Sequence, residues 1–358
     1  MTQFRLVVVV LAFVVALTAP RVPAQARPSL ADYFTTIPPT VLDAGYVAQN
    51  IFPVTEDVNG DGYQDLIVLG AYPGGGDGQG GPATCCTPQP GRVFLGDGDG
   101  HFSPAPANLF PVDTLLTVHP RKVLFADVNA DGRPDMFISS HGWGADPFPG
   151  EQNRLYLSRP EGGWRDATAH LPQISDSPHS SAAGDISGRG LIDIFVGNGD
   201  GPISPYFLLN TGSGQFTQTR TNIPAGNNQL LDPSTAHHFA GATLTDLNGD
   251  GLAELIVTGD ELSRTTILWN RAGIFSQADT TQLPLPWVFS NAHIALDVQR
   301  IDVNQDGLPD LVLVGTQGGR PLMTGGSCRS SSTRATGSFS MKRLSVCRSG
   351  RLWEAARA

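Results

Sequence analysis

The stretch DVNGDGYQDLIVLG, residues 57–70, sets a run of oxygen-bearing and turn-forming side chains directly before an apolar strand. It recurs as DVNADGRPDMFISS from Asp127, DISGRGLIDIFVGN from Asp185, DLNGDGLAELIVTG from Asp246 and DVNQDGLPDLVLVG from Asp302. The intervals between first aspartates are 70, 58, 61 and 56 residues. Self-similarity at such a period signals supersecondary units that bury their faces against one another.

Numbered from its first residue, the loop carries Asp57, Asn59 and Asp61 at positions 1, 3 and 5, Gly62 at position 6 and Asp65 at position 9. Alternate residues of a tight loop can turn their oxygens toward one point, and glycine at position 6 permits the sharp turn. The backbone carbonyl at position 7, Tyr63 here, can face the same centre. Six to eight hard oxygens at roughly 2.4 Å suit Ca²⁺, whereas Mg²⁺ usually keeps more of its water. A helix-loop-helix calcium site closes with Glu at position 12 and runs into a helix. Here the closing carboxylate comes at position 9 and a strand follows, so the metal would pin a strand-to-strand turn.

The expected ligand sets are Asp57, Asn59, Asp61, Tyr63 and Asp65; Asp127, Asn129, Asp131, Arg133 and Asp135; Asp246, Asn248, Asp250, Leu252 and Glu254; and Asp302, Asn304, Asp306, Leu308 and Asp310. The position-7 residues act through their carbonyls. A plain Asx-turn explains one such loop by local amide bonds. Four loops with three carboxylates at identical offsets call for a cation to offset the repulsion. In the third copy Arg189 stands at position 5, between Asp185, Ser187 and Asp193, where it would repel Ca²⁺ and pair with Asp185 and Asp193. That loop is expected to be metal-free, which leaves up to four structural calcium ions.

Around each loop a short strand enters (VLFAD, ATLTD, VQRID) and an apolar strand leaves. A third strand and a Gly-rich hairpin follow in the first four units, ending at Phe102, Trp164, Phe216 or Phe275, each placed to open a fourth strand. Four antiparallel strands per unit describe a propeller blade. The long first interval comes from a loop-like insertion, YPGGGDGQGGPATCCTPQPG, and GDGDG at Gly96 to Gly100 reads as a hairpin turn. The fold expected is all-β: a β-propeller of four-stranded antiparallel blades, five recognisable and the last incomplete, with no third strand after DLVLVGTQGG.

The 358 residues include 42 Gly and 28 Pro but only 16% charged residues, a mixture that suits turns and strands better than helices. A net charge of −10 disfavours nucleic acid and favours a cation as partner. Residues 1–26 read as a signal peptide: Arg5, an apolar run from Leu6 to Ala19, then Ala24-Gln25-Ala26. Fourteen residues of helix span about 21 Å, short of the ~30 Å hydrocarbon layer. The rest of the sequence holds no membrane-spanning stretch, so a secreted or extracytoplasmic protein, in periplasm or at the cell surface, is expected. The propeller would occupy 27–319. Residues 320–358 carry eight bases and one acid, whereas the preceding 319 residues carry 15 bases and 32 acids. Two readings stand for this basic low-complexity tail: an arm for an acidic surface, or a shifted reading frame. Four cysteines (85, 86, 328 and 347) are too few for a disulfide framework.

The five segments resemble the FG-GAP/VCBS repeats of integrin α-chain propellers and of secreted bacterial proteins, over roughly residues 43–316. The resemblance implies a β-propeller, normally seven-bladed, with calcium in hairpin loops and a role in adhesion or ligand binding. Two functions follow: a binding or adhesion module for a protein or carbohydrate ligand, or a secreted polysaccharide hydrolase or lyase on a propeller scaffold. No Ser/His/Asp signature, nucleophile elbow or zinc motif appears, which weighs against the enzyme. His119, His179, His238 and His293 each lie six to nine residues before the first Asp of their loops. They are read either as repeated strand-end caps or as a ligand site gathered at one mouth of the propeller channel.

Overall fold

The computed structural model describes residues 52–70, 88–111, 115–144, 148–199, 203–223, 239–258, 265–283, 293–301, 310–317, 326–328, 347–348 and 351–352. Residues 1–26, His238, Cys85, Cys86 and the turn of the fifth loop therefore lie outside the described residues. Described residues up to Ser177 belong to one compact unit and those from Pro178 to a second.

The first unit holds two four-stranded antiparallel meanders. Sheet 1 contains β1 (Phe52–Glu56), β2 (Asp65–Leu69), β3 (Arg92–Gly96) and β4 (Phe102–Pro104) in sequential order. Sheet 2 repeats this with β5 (Pro120–Ala126), β6 (Asp135–Ser140), β7 (Arg154–Ser158) and β8 (Trp164–Asp166). The second unit continues with sheet 3, made of β9 (Pro178–Gly184), β10 (Asp193–Asn198), β11 (Tyr206–Gly212) and β12 (Gln215–Thr219). Sheet 4 contains β13 (Gly241–Thr245), β14 (Glu254–Thr258), β15 (Thr266–Arg271) and β16 (Ile274–Gln282). The only helical turn among the described residues is a 3₁₀ turn at Thr168–His170. No described helix is long and apolar enough to cross a membrane. The chain is thus all-β and built from propeller-type blades.

Sheet 5 corrects one expectation. Besides β17 (His293–Ile301) and β18 (Asp310–Gln317) it has a short third strand, β19 (Gly326–Cys328), paired from Val314↔Cys328 to Thr316↔Gly326. The segment GSC has no apolar alternation, so nothing in its pattern announced a strand.

Burial explains why the second strand of sheets 2, 3 and 4 reads as a continuous apolar run. All residues of β6, β10 and β14 are buried, because both faces of each strand are covered. In the first unit Ile67, Leu69, Met136, Ile138, Tyr156 and Trp164 share one core. In the second, Phe195, Phe207, Phe239, Leu255 and Phe275 form another, and Phe207 stacks on Phe275 at 5.1 Å. Burying one such side chain is worth roughly 1.5–3 kcal/mol. Val298 and Leu311 of sheet 5 pack with Ile256 and Ile267 of sheet 4 in a further cluster.

Register slips recur in the entering strands, between Pro120 and Lys122, Pro178 and Ser180, and Ala295 and Asp297. The residues passed over, Arg121, His179 and Leu296, each lie six positions before the first Asp of their loop.

Candidate metal-binding loops

In sheets 1 to 4 the Asp-rich segment joins the first two strands, and its shape comes from side-chain oxygens accepting the loop's own amides. Asp57 Oδ1 accepts from the Gly60 and Asp61 amides at 2.8 and 3.1 Å, and its Oδ2 from Gly62 at 2.8 Å. Asn59 Oδ1 accepts from Asp61 N at 2.9 Å and Asp61 Oδ1 from Tyr63 N at 2.9 Å. Loop 2 repeats the pattern through Asp127, Asn129 and Asp131. Loop 4 does so through Asp246, Asn248 and Asp250.

The turn needs left-handed backbone at position 4 as well as position 6. Gly60 and Gly62 have φ of 80° and 90°, and Gly249 and Gly251 have 78° and 86°. In loop 2 position 4 is Ala130, held at φ 61° beside Gly132 at 84°. A Cβ in that region costs about 1–2 kcal/mol, so the rest of the loop must hold Ala130 there.

Position 9 ties the loop to the sheet. Asp65 is fully buried, with Oδ2 accepting from Val58 N and Oδ1 from Gly96 N at the end of β3, both at 2.9 Å. Asp135 accepts from Val128 N at 3.0 Å and from Ser158 N at the end of β7 at 2.9 Å. Glu254 accepts from Leu247 N at 2.6 Å and from Asn248 Nδ2 at 3.2 Å. Asp310, also fully buried, starts β18.

Burial raises the carboxyls of Asp65, Asp135 and Glu254. Asp65 is pushed up by desolvation, against its two amide bonds and with further push from Asp61 and Asp57. Asp135 reaches about 6 and Glu254 about 7 for the same reasons, with Asp131 and Asp127, or Asp250 and Asp246, adding like charge. Positions 1, 5 and 9 therefore repel one another in loops 1, 2 and 4. The guanidinium of Arg133 does not relieve this; it donates to the carbonyl of Arg159 in the β7–β8 hairpin at 2.6 Å.

Hard oxygen donors with excess negative charge fit a calcium ion in chemistry. Among the described residues, however, no three acidic, histidine or cysteine side chains close on one point. The reason lies in the amide bonds: Asn59 Nδ2 and Asn248 Nδ2 donate to Asp61 Oδ2 and Asp250 Oδ2 at 2.8 and 2.9 Å. Holding an ion asks these side chains to rotate, while the backbone already has its turn. Tyr63, Arg133 and Leu252 occupy position 7 of loops 1, 2 and 4; Asp302, Asn304, Asp306 and Leu308 lie outside the described residues.

Loop 3 has the same backbone with different chemistry. Asp185 accepts from the amides of Ser187, Gly188, Arg189 and Gly190, and Gly188 and Gly190 have φ of 69° and 71°. Burial pushes Asp185 up, but these four amides outweigh it and hold the carboxyl below its usual range. Arg189 bonds Asp193 at 3.1 Å, as the sequence suggested; its other side-chain bond goes to Ser187 Oγ at 2.6 Å, while Asp185 accepts only its backbone amide.

The histidines occupy unequal places. His119 precedes β5 and is buried, His179 sits half-buried at the register slip of β9, and His293 opens β17. Pattern reading missed the surroundings of His119. Its ring lies 5.5 Å from that of the buried His141, and the His141 amide donates to the His119 carbonyl at 2.8 Å. Glu151, also buried, accepts the Val118 amide on both oxygens at 3.1 and 3.0 Å. Asn153 takes Ser140 N and donates to Asp176 at 3.0 Å. Burial raises the Glu151 carboxyl, against the amides of Val118 and His119 and the charge of Arg154. GDGDG is the hairpin expected, with Asp97 capping the amides of Asp99 and His101.

Four-stranded blades, each opened by an Asp-rich turn between its first two strands, define a repeat protein of propeller type. A family model described as FG-GAP-like repeat matches residues 57–138 and 246–313, so these two regions are similar to FG-GAP repeats. The matches take in loops 1 and 2 and loops 4 and 5, and the Arg189 loop falls between them. Among curated proteins, none matches the chain.

Proposed function

We propose that the chain is an exported binding or adhesion module whose blades are stabilised by calcium in loops 1, 2, 4 and 5. The observation that carries the calcium reading is the set of loops 1, 2 and 4. Each holds three carboxylates on one preformed turn, with the position-9 group buried beside the other two and no basic side chain of the loop turned to them. Calcium supplies one thing there, positive charge that offsets this repulsion. Positions 1 and 5 would hold it from the turn, position 3 through the Asn carbonyl, position 7 through its backbone carbonyl and position 9 from the sheet.

Export rests on the leader-like residues 1–26, and a protein or carbohydrate ligand rests on the kinship of the repeats. His119, His179, His238 and His293 are carried as candidate ligand contacts. The deciding experiment is thermal unfolding of the mature chain in excess chelator and in millimolar Ca²⁺, since extracellular calcium modules commonly bind at about 10⁻⁴–10⁻³ M. Chelator is expected to lower the midpoint and calcium to restore it. A midpoint indifferent to both sinks the calcium reading.

A further inference from the structure

Loops 1 and 3 are also docking points for the next blade in their units. In the first unit the position-2 carbonyl of loop 1, Val58 O, accepts from the indole Nε1 of Trp164 in sheet 2 at 2.9 Å. In the second unit the equivalent carbonyl of loop 3, Ile186 O, accepts from Asn270 Nδ2 of sheet 4 at 2.8 Å. Loop 3 offers a second contact there, with Asp185 O taking the amide of Ala253 at 2.8 Å. Gly188 is also close-packed: a Cβ on it would lie 3.2 Å from Leu252 Cδ2. Whatever keeps a loop in shape keeps its seam closed.

The two seams are kept in shape by different charges. Loop 1 carries Asp57, Asp61 and Asp65 on its turn. In loop 3 the guanidinium of Arg189 spans positions 3 and 9, bonding Ser187 Oγ at 2.6 Å and the fully buried Asp193 Oδ1 at 3.1 Å. Asp193 Oδ1 also accepts Asn210 N at 2.8 Å, so this cation clasps the turn to β11 as well. A guanidinium bonded to a carboxylate from within the chain needs no ion from solution and resists chelation. We infer that the seam between sheets 3 and 4 is held by a protein-borne cation and stays closed when calcium is withdrawn, whereas the seam between sheets 1 and 2 loosens. The second half rests on the calcium reading above; the first does not.

Hydrogen exchange of the full chain, in Ca²⁺ and in chelator, separates the two halves. Amides of 57–70 are expected to exchange at least about tenfold faster in chelator, and those of 185–198 to change less than about twofold. Arg189→Gln removes the clasp without adding a carboxylate, and should deprotect 185–198 in both conditions. Arg189→Asp should deprotect the same stretch only in chelator and add one site to a calcium titration. Chelator-sensitive exchange at 185–198 in the native chain, or no effect of Arg189→Gln, overturns the clasp. Should 57–70 ignore the chelator while Arg189→Gln still deprotects 185–198, the calcium reading fails and the clasp stands.

Discussion

Trp164→Phe tests whether a loop and its neighbouring blade form one mechanical unit. Trp164 is buried, its indole N–H donates to Val58 O at 2.9 Å, and its ring stacks on Phe110 at 5.4 Å with 13° between planes. Phenylalanine keeps the stack and the backbone bond to Leu109 O but leaves the Val58 carbonyl without its indole donor. Losing the donor to a buried acceptor costs about 1–3 kcal/mol. The smaller ring forfeits about one methylene-equivalent of burial, roughly 0.8 kcal/mol. The total expected is about 2–4 kcal/mol, read as a lower denaturant midpoint at unchanged slope in calcium. Because Val58 occupies position 2 of loop 1, part of the loss should reach the metal; a coupling of about 1 kcal/mol raises the calcium Kd about fivefold. Trp269→Phe is the control, since its half-buried indole bonds Thr281 Oγ1 within one sheet, and should cost less than about 1 kcal/mol. A Trp164→Phe loss below about 0.5 kcal/mol, or one no larger than the control's, would refute the seam.

Two other perturbations have defined signs. Ala130→Gly relieves a left-handed alanine in loop 2; against the added chain entropy of glycine it should gain about 0.5–1 kcal/mol and raise the thermal midpoint by about 1–3 °C. A lower midpoint would mean the turn is not strained. Glu151 has a folded pKa raised above 4.5 by burial, so the native state keeps a proton that the unfolded chain has released. Stability should therefore fall as pH rises from the unfolded value through the raised folded one, and Glu151→Gln should flatten that slope relative to wild type in saturating calcium. Parallel pH profiles for the two proteins would show that Glu151 titrates normally.

Much of the fold could be read because its signals are local. The period of the Asp-rich loops, the apolar second strands and the aromatics at Trp164, Phe216 and Phe275 all lie within a few residues of what they determine. The parts that escaped depend on distant partners. Nothing near Asp65 says that its second oxygen will meet Gly96, 31 residues away, or that Val58 will meet Trp164 across 106. Position 4 was hidden by composition, since Ala130 carries no turn signature although its φ is 61°. Arg189 was legible as a cation among acids, but which acid it would bond was not, because the Asp185 oxygens are taken by amides first. The polar group around His119, His141 and Glu151 has no repeat to announce it.

The register slips in β5, β9 and β17 have a consequence for how such a chain can vary. Each falls six residues before the loop's first aspartate, at Arg121, His179 and Leu296. An extra residue in one strand restarts the alternation of faces downstream of it. Chain upstream of the slip can then gain or lose residues without moving the loop out of phase with its sheet. Intervals as unequal as 70, 58 and 56 residues still place an aspartate six residues beyond the slip. The slip works as a phase reset: it lets the connecting segments diverge freely while the turn stays fixed.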